Sequence, residues 1–174
     1  MPKKLFVLLI ILLFISSSAY AVDERFEDVI ATVVVGSTFR LSIDEDSLDF
    51  GLIKPGKRIE LYPERYYNRV TAISNNNTTW YLKMSLSEEL RGEKGDIIPN
   101  DRLKWQVCST DGDGIKVEGW QSFKDQPVLV YTSGLEDSRG KEVNIYLKYA
   151  LKPPGGITAG HYHTAISYSM TESP

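Results

Sequence analysis

The stretch Trp80-Tyr81-Leu82-Lys83-Met84-Ser85-Leu86 decides the fold class, because every second residue in it is large and apolar. Successive side chains of a β-strand point to opposite faces, so these four apolar residues share one face. Tyr162, Ile166, Tyr168 and Met170 share a face in the same way near the end of the sequence. One apolar face and one wet face are typical of antiparallel sheets, whereas parallel strands buried on both faces are apolar throughout. The pattern therefore predicts an antiparallel, all-β fold.

Short runs of this kind recur between turns rich in Gly, Pro, Asn and Asp, and no long stretch shows the apolar period of a helix. Ser87–Arg91 has the composition for a helical turn at most, since Gly92 and Gly95 would stop it. About eight short strands in about 150 residues, without an internal repeat, indicate one β-sandwich. We predict strands at Val29–Val35, Phe39–Ile43, Tyr67–Ile73, Trp80–Leu86, Leu103–Cys108, Val128–Tyr131, Val143–Leu151 and His161–Thr171.

The first residues have the pattern of a secretory leader. Met1–Lys4 is cationic, Leu5–Ile15 is apolar, and Ser16–Ala21 ends in Ala-x-Ala, which a signal peptidase accepts. The apolar run is shorter than the roughly 20 residues that cross a bilayer, and no second apolar segment or wall-sorting signal follows. We therefore predict a signal peptide over 1–21 and a secreted domain over 22–174 without a transmembrane anchor. Its location is the cell surface or the medium, or the periplasm in a Gram-negative source.

Charge and cysteine content restrict the partners and the source of stability. The formal charge is −3, and removal of the leader with its two lysines makes it −5, which argues against a nucleic-acid partner. The one cysteine, Cys108, has no intramolecular disulfide partner, so the domain must rely on hydrophobic burial. Because Cys108 ends a strand-like run, we expect a buried and inert thiol.

Two clusters have residue types that bind metals. Asp111-Gly112-Asp113-Gly114 suits a hard cation, but Ile115 stands where a calcium loop needs its next ligand. His161 and His163 share a strand face and could hold zinc or copper with a third ligand. Neither cluster completes a coordination shell, so we predict an acidic hairpin, surface histidines, no metal and no cofactor.

Catalytic arrangements are sparse. A serine or cysteine nucleophile needs a histidine base, but both histidines lie in one predicted strand, and no Gly-x-Ser-x-Gly motif exists. The paired carboxylates Glu88-Glu89 and Glu136-Asp137 lie in turn-like polar stretches, where we expect them to be solvated. The sequence therefore predicts no enzymatic activity.

The ten Tyr and three Trp residues leave two interpretations open. Exposed aromatic rings stack on sugars, which would make the protein a carbohydrate-binding module. Large aromatic residues also fill sandwich cores, and we favour that place for Trp80 and Trp105. Trp120, between Gly119 and Gln121, fits either interpretation.

Two segments resemble WxL-type surface domains. These are Ser47–Gly56 with Asn75–Leu82, which resemble the opening of such domains, and Gly160–Pro174, which resembles their end. The resemblance implies a secreted domain that attaches non-covalently to the cell wall. Trp80-Tyr81-Leu82 would be its first Trp-x-Leu motif. Tyr168-Ser169-Met170 takes the place of the second, with Tyr for Trp and Met for Leu.

The motifs Leu48-x-Phe50-Gly51 and Ala159-Gly160-x-Tyr162 are also similar to spore coat protein U-type and pilin-type secreted domains. All these resemblances imply an immunoglobulin-like sandwich. Independently of any family, Gly160 permits a tight turn from which Tyr162 can fold back and donate its hydroxyl to a backbone carbonyl, as in a tyrosine corner. Pro55-Gly56 suits a turn, since Pro fixes φ and Gly accepts a positive φ.

These observations predict a secreted, non-catalytic module for adhesion or wall association, whose partners are cell-wall polysaccharide or other surface proteins. The candidate wall- or sugar-binding residues are Trp80, Leu82, Trp120 and Tyr168. A second hypothesis is a self-assembling pilus or coat subunit, and a third is the carbohydrate-binding module. Assembly would use the mature N-terminus, where Ile30, Thr32 and Val34 share one face with Phe26 and Asp28. We favour this segment as an edge strand of its own domain, with self-association as the alternative.

Overall fold

The structure is a computed structural model that describes residues 32–61 and 68–174. The chain divides into two compact units, residues 1–35 and 36–174. Of the first unit, only Thr32–Val35 is described. It belongs to no strand, and its three valines are exposed. The strand predicted at Val29–Val35 is therefore not present over its described part, and Ile30 lies outside the described residues.

The second unit is built from short strands and two 3₁₀ turns, at Asn100–Arg102 and Glu136–Ser138. The longest strand has ten residues. In chain order the described strands are β1 Phe39–Ile43, β2 Ile59–Leu61, β3 Asn68–Ser74, β4 Tyr81–Leu86, β5 Leu90–Gly92, β6 Ile97–Ile98, β7 Leu103–Thr110, β8 Ile115–Lys116, β9 Gln121–Ser122, β10 Val128–Thr132, β11 Glu142–Leu151, β12 Tyr162–His163 and β13 Ile166–Thr171.

The strands form three sheets, and every described pairing is antiparallel. The largest sheet has the order β1-β3-β11-β7-β9, with β2 also paired to β11. A second sheet has the order β13-β4-β10-β8, and a small third sheet has the order β12-β5-β6. Because sequential neighbours β3 and β4 lie in different sheets, the chain crosses between the layers of a sandwich.

The core lies between the two larger sheets. Strand β3 and residues 143–149 of β11 alternate between buried and half-buried residues, as strands with one face against a core must. Trp80, Trp105, Tyr131 and Tyr149 are its largest fully buried side chains. Each fully buried large apolar side chain contributes about 1.5–3 kcal/mol, so this core can hold the domain without a disulfide.

The all-β sandwich prediction is confirmed, and the strands predicted at Phe39–Ile43 and Val143–Leu151 are present within one residue of their predicted ends. Ser87–Arg91 does not form a helical turn. Leu90 and Arg91 instead begin β5, where buried Leu90 pairs with Ile98 of β6. The strand predicted at His161–Thr171 is split into β12 and β13. Tyr67 of the third predicted strand lies outside the described residues.

Within residues 32–61 and 68–174 there is no helix with the length and apolar character needed to span a membrane.

Candidate functional site

Among the described residues, one edge of the sandwich is open at β13. This strand pairs with β4 from Ile166 opposite Leu86 to Thr171 opposite Tyr81. No other strand pairs with β13 in the part of the chain that the structure describes. The free side of such a strand presents unpaired backbone N–H and C=O groups, which are ready to pair with another strand.

The inner face of β13 is incompletely covered. Ile166, Tyr168 and Met170 point toward the core but are only half-buried. Leu82 and Met84, their neighbours on β4, are at most 1% exposed. The inner side chains of β13 are therefore partly exposed to solvent on the side away from β4.

Strand β1, the edge of the opposite sheet, is similarly exposed. Only Leu41 is half-buried in β1, while Phe39 and Ile43 are 42% and 41% exposed. Strands β1 and β13 are in contact, so the two edges meet at one side of the sandwich. Together they border a strip of apolar surface that is partly open to solvent.

An apolar cleft of about 770 Å³ continues from the inner face of β13. Its walls are the loop 46–55 and the segment 153–165, which includes β12, and it reaches Ile166 and Tyr168. Its base is formed by side chains of the core and of the small third sheet, namely Leu90, Ile98, Leu103 and Leu151. The cleft can therefore accept apolar side chains that enter along the open edge.

A polar group lies at the wall of this cleft. Asn68 Nδ2 donates to the Tyr168 hydroxyl at 2.9 Å, and that hydroxyl is also hydrogen-bonded to the Tyr149 hydroxyl. Burial raises the pKa of Tyr168 to about 12 and that of Tyr149 well above its usual value, so both phenols are neutral at physiological pH. Asn68 is 3% exposed, and its Oδ1 has no hydrogen-bond partner among the described residues. This oxygen is a buried acceptor that lacks a donor.

Local turns position the two loops as the sequence predicted. Gly56 has a φ of 72°, and its N–H donates to the Pro153 carbonyl at 3.0 Å, which ties one loop to the other. Tyr162 folds back and donates its hydroxyl to the Thr158 carbonyl at 2.8 Å. A Cβ at Gly92 would lie 2.8 Å from the Tyr162 ring, so this ring packs against a backbone that only Gly leaves open. The tyrosine-corner prediction is thus confirmed.

The Trp-x-Leu segment contributes no exposed side chain. Trp80 and Leu82 are both 0% exposed, and Trp80 Nε1 donates to the Asp137 carbonyl at 3.3 Å. Trp105 is 1% exposed. The core interpretation of Trp80 and Trp105 is confirmed. Trp80 and Leu82 are not part of a binding surface in this fold, because alternation along the strand turns them inward.

Trp120 is half-buried on a different face of the molecule. Arg58 Cζ and Lys148 Nζ each lie 4.7 Å from the centroid of its ring. A sugar that stacked on this indole would have to displace a cation, which is itself attracted to the ring.

The two clusters considered as metal ligands and predicted to be surface residues have their Asp and His side chains exposed. His161 and His163 are exposed at the rim of the cleft. Among the described residues no three His, Cys, Asp or Glu side chains come together as metal ligands do. Asp111 and Asp113 bond to the protein itself: Asp111 accepts from the Asn144 N–H at 2.7 Å, and Asp113 accepts from the Asp137 N–H at 3.2 Å.

Cys108 is half-buried, not fully buried as predicted. It occupies an outward-facing position of β7, beside Val107, which is 0% exposed. Burial raises the pKa of the Cys108 thiol, while Lys148 and Lys116 lower it.

The prediction that Asp137 is a solvated carboxylate is wrong. Asp137 is 0% exposed, and its Oδ2 accepts from the Tyr131 hydroxyl at 2.6 Å and from the N–H groups of Gly134 and Gly114 at 2.8 and 3.1 Å. Its Oδ1 accepts from the Asp113 N–H at 3.0 Å. The carboxylate thus joins the loop after β7 to the loop after β10, and its contacts are those of a structural group.

Comparison with protein-family models, with curated proteins and with solved structures gives no match. The resemblance to WxL-type, spore coat and pilin-type domains therefore stays a prediction that rests on the quoted motifs.

Proposed function

We propose that the protein is a secreted, non-catalytic structural subunit that assembles by strand addition at the cell surface. In this proposal an extended segment of one copy pairs with the open edge of β13 in another copy. The observation that carries it is the combination of an unpaired strand edge with a half-exposed apolar inner face. An immunoglobulin-like sandwich of the pilin type, which the quoted motifs resemble, is the fold in which such pairing is expected.

The sequence of β13 supports the proposal. Natural edge strands are usually protected by Lys, Pro or a bulge, which prevent pairing with other chains. Ile166–Thr171 contains no charged residue and no proline, and it pairs with β4 without a break in register. An edge without such protection is suited to pairing with a specific partner strand.

The segment before β1 has the chemistry of a donor. In the sequence, Phe26, Ile30 and Val34 belong to the same set of alternate positions as Asp28 and Thr32, so these side chains would share one face if the segment were extended. Of the part that the structure describes, Val33, Val34 and Val35 are 84%, 89% and 78% exposed. Main-chain hydrogen bonds provide affinity in strand addition, and alternate side chains provide specificity. Each aliphatic side chain that became fully buried would add about 1.5–3 kcal/mol.

The unpartnered Oδ1 of Asn68 also fits an added strand. This oxygen is buried near Tyr168, the central inward residue of β13. A backbone N–H of an added strand that entered the cleft would supply the missing donor. Leaving a buried acceptor without a donor costs about 1–3 kcal/mol, so this hydrogen bond would favour binding.

The experiment compares residues 22–174 with residues 36–174 by size-exclusion chromatography and circular dichroism. We expect heat-resistant oligomers of the longer chain and a folded monomer of the shorter chain, which binds a synthetic peptide of residues 22–35. The variant Ile30→Asp/Val34→Asp should abolish oligomers, whereas Asp23→Asn, outside the alternating run, should not. A monomeric longer chain, or a shorter chain that does not bind the peptide, contradicts the proposal.

The hypotheses of a wall-associated adhesion module and of a sugar-binding module stay predictions. Trp80 and Leu82 do not support them, since both are buried. The residue that remains for a glycan is Trp120, whose ring is in contact with Arg58 and Lys148.

A further inference from the structure

The turn between β3 and β4 is bonded to the residues that lead into β1. Asn75 Oδ1 accepts from the Thr38 N–H at 2.5 Å, and Asn75 Nδ2 donates to the Gly36 carbonyl at 2.9 Å. The N–H of Asn75 also donates to the Thr38 carbonyl at 3.1 Å. One asparagine therefore holds the backbone of residues 36–38, and two of these three hydrogen bonds come from its side chain.

This contact lies at the end of the sandwich where the open edge finishes. Phe39, the first residue of β1, pairs with Ser74, the last residue of β3. Tyr81, the first residue of β4, pairs with Thr171, the last residue of β13. Since the turn 75–80 joins β3 directly to β4, β1 starts and β13 finishes at the same end of the domain.

Pairing of the arm, which is our name for residues 22–35, with its own copy would require a sharp reversal of the chain. To lie along β13 of its own domain, the arm would have to return from this end toward Ile166, where β13 begins. It would then run opposite to β1, so the chain would have to reverse in the few residues before Phe39. The structure shows no turn at residues 36–38.

The Asn75 side chain occupies backbone groups that a tight reversal needs. A hairpin turn over residues 35–38 is closed by the Thr38 N–H, and one over residues 36–39 is closed at the Gly36 carbonyl. Both of these groups are hydrogen-bonded to the Asn75 side chain. A turn over residues 34–37 would place Val35 at the first central position, where the favoured hairpin turns need a positive φ that a β-branched residue resists. Asn75 therefore competes with the two tight turns that the sequence would otherwise allow.

Competition from its own arm is the main obstacle to a subunit that assembles by exchanging arms. A tethered segment that can reach a site on its own chain has an effective concentration in the mM range, well above the usual concentration of other copies. This effective concentration falls toward zero when the connection cannot span the site. An exchanging subunit therefore needs a connection to its arm that opposes the reversal.

We infer that Asn75 directs the arm to another copy, because its side chain holds Gly36 and Thr38 and so disfavours pairing of the arm with β13 of its own domain. The inference rests on assembly by strand addition, and it adds the reason why the arm is exchanged and not kept. Asn75 does not line the cleft, and it acts through the backbone next to the arm. It is therefore a positioning residue.

The test refolds residues 22–174 from denaturant at micromolar concentration and separates the products by size-exclusion chromatography. Asn75→Ala removes the two side-chain hydrogen bonds but keeps the backbone bond to Thr38. Each lost bond is worth roughly two- to tenfold in an equilibrium constant, so we expect the ratio of oligomer to folded monomer to fall about tenfold. This monomer should not bind a labelled peptide of residues 22–35, because its own arm occupies the edge of β13.

The matched control is Asn76→Ala, on the same turn. Asn76 Nδ2 donates to Glu172 Oε1 at 2.8 Å, so this variant also loses a solvent-exposed hydrogen bond, while Thr78 still holds Glu172. It should form oligomers like the unmodified chain. In the shorter chain, residues 36–174, Asn75→Ala should bind the peptide with unchanged affinity, which a general loss of structure would not allow. Circular dichroism verifies that all variants are folded.

The possible failures of this experiment can be told apart. The role of Asn75 is overturned if Asn75→Ala forms as much oligomer as the unmodified chain, if its monomer still binds the peptide, or if Asn76→Ala has the same effect. Failure of strand addition itself would appear without any substitution, since the shorter chain would not bind the peptide and the longer chain would stay monomeric. That result overturns both proposals.

Discussion

The hydroxyl of Tyr131 donates to Asp137 Oδ2 at 2.6 Å, and both residues are 0% exposed. Tyr131 also packs on Trp80, with ring centroids 5.5 Å apart. A buried carboxylate is stable only when its oxygens are hydrogen-bonded. The pair therefore connects the aromatic core to the loops at one end of the sandwich, and its removal should affect stability more than any surface change.

The first prediction concerns the Tyr131 hydroxyl. Tyr131→Phe removes one donor from buried Asp137 and the acceptor for the Gly114 N–H, which lies 2.7 Å away. We expect a loss of about 1.5–3 kcal/mol in the free energy of unfolding, measured by urea denaturation. Tyr81→Phe, at an outward-facing and half-buried position of β4, is the control and should change it by less than about 0.5 kcal/mol. Equal effects of the two substitutions would contradict this role of the hydroxyl.

The second prediction concerns the loss of stability at acid pH. Burial raises the pKa of Asp137, but hydrogen bonds from Tyr131, Gly134 and Asp113 outweigh it, so the pKa lies below its ordinary value of 3.8. A depressed folded-state pKa gives stability that is fully present above the unfolded pKa of about 3.9 and is lost as the pH falls through the folded value.

The measurement for this second prediction is urea denaturation at several pH values. Asp137→Asn should be less stable than the unmodified chain at pH 7. The difference should shrink as the pH falls below about 4, because the Asp137 carboxylate then takes up a proton in the unfolded chain before it does so in the folded protein. Glu136→Gln is the control at the exposed neighbouring residue, and it should change the acid profile only slightly, because the ion pair of Glu136 with Arg139 is exposed to solvent. A difference that stayed constant from pH 7 to pH 3 would show that Asp137 does not contribute as a charge.

The third prediction tests the tight approach of the loops around Asp137. A Cβ on Gly114 would overlap the Thr132 carbonyl oxygen and lie 2.6 Å from the Gly134 nitrogen, both of which are backbone atoms. Gly114→Ala should therefore lower the free energy of unfolding by about 1–3 kcal/mol, as overpacking does. Gly156→Ala, whose Cβ would meet nothing within 4 Å, should have little effect. Thermal denaturation of both variants measures this effect. If Gly114→Ala left the stability unchanged, the loops around Asp137 could move apart to admit the added methyl group.

The sequence predicted those parts of the fold that depend on local alternation. Strand β4 and the inward placement of Trp80 and Trp105 follow from the pattern of large residues at every second position. Short strands such as β8 and β9, of two residues each, carry too few residues for any period to be visible. They exist because longer partners, β10 and β7, hold them in place.

The candidate sites could not be predicted because they join residues that are distant in the sequence. Asp137 looked like a surface carboxylate, since its neighbours are polar, and the donors that surround it come from the loop after β7 and from β10. Asn75 is likewise brought beside Gly36 and Thr38 only by the pairing of β1 with β3. The conformation of a turn, by contrast, depends on adjacent residues. The positive φ of Gly56 and the contact of the Tyr162 hydroxyl with a backbone carbonyl could therefore be predicted.

The last prediction concerns the reactivity of Cys108. Burial raises the pKa of its thiol, and the positive charges of Lys148 and Lys116 partly oppose this shift. Since the thiolate is the reactive form, labelling by a disulfide reagent at pH 8 should be slower in the folded protein than in denaturant. It should still be measurable, because the side chain is only half-buried.

Removal of a nearby cation should slow this labelling further. In Lys148→Gln the thiol loses one of the two charges that favour its ionised form, so the pH at which labelling accelerates should rise. The control is Lys83→Gln on β4, which belongs to the other large sheet and should leave the labelling profile unchanged. Labelling at the rate of the denatured chain would show that Cys108 is fully accessible. A Lys148→Gln profile identical to that of the unmodified protein would show that the charge of Lys148 does not act on the thiol.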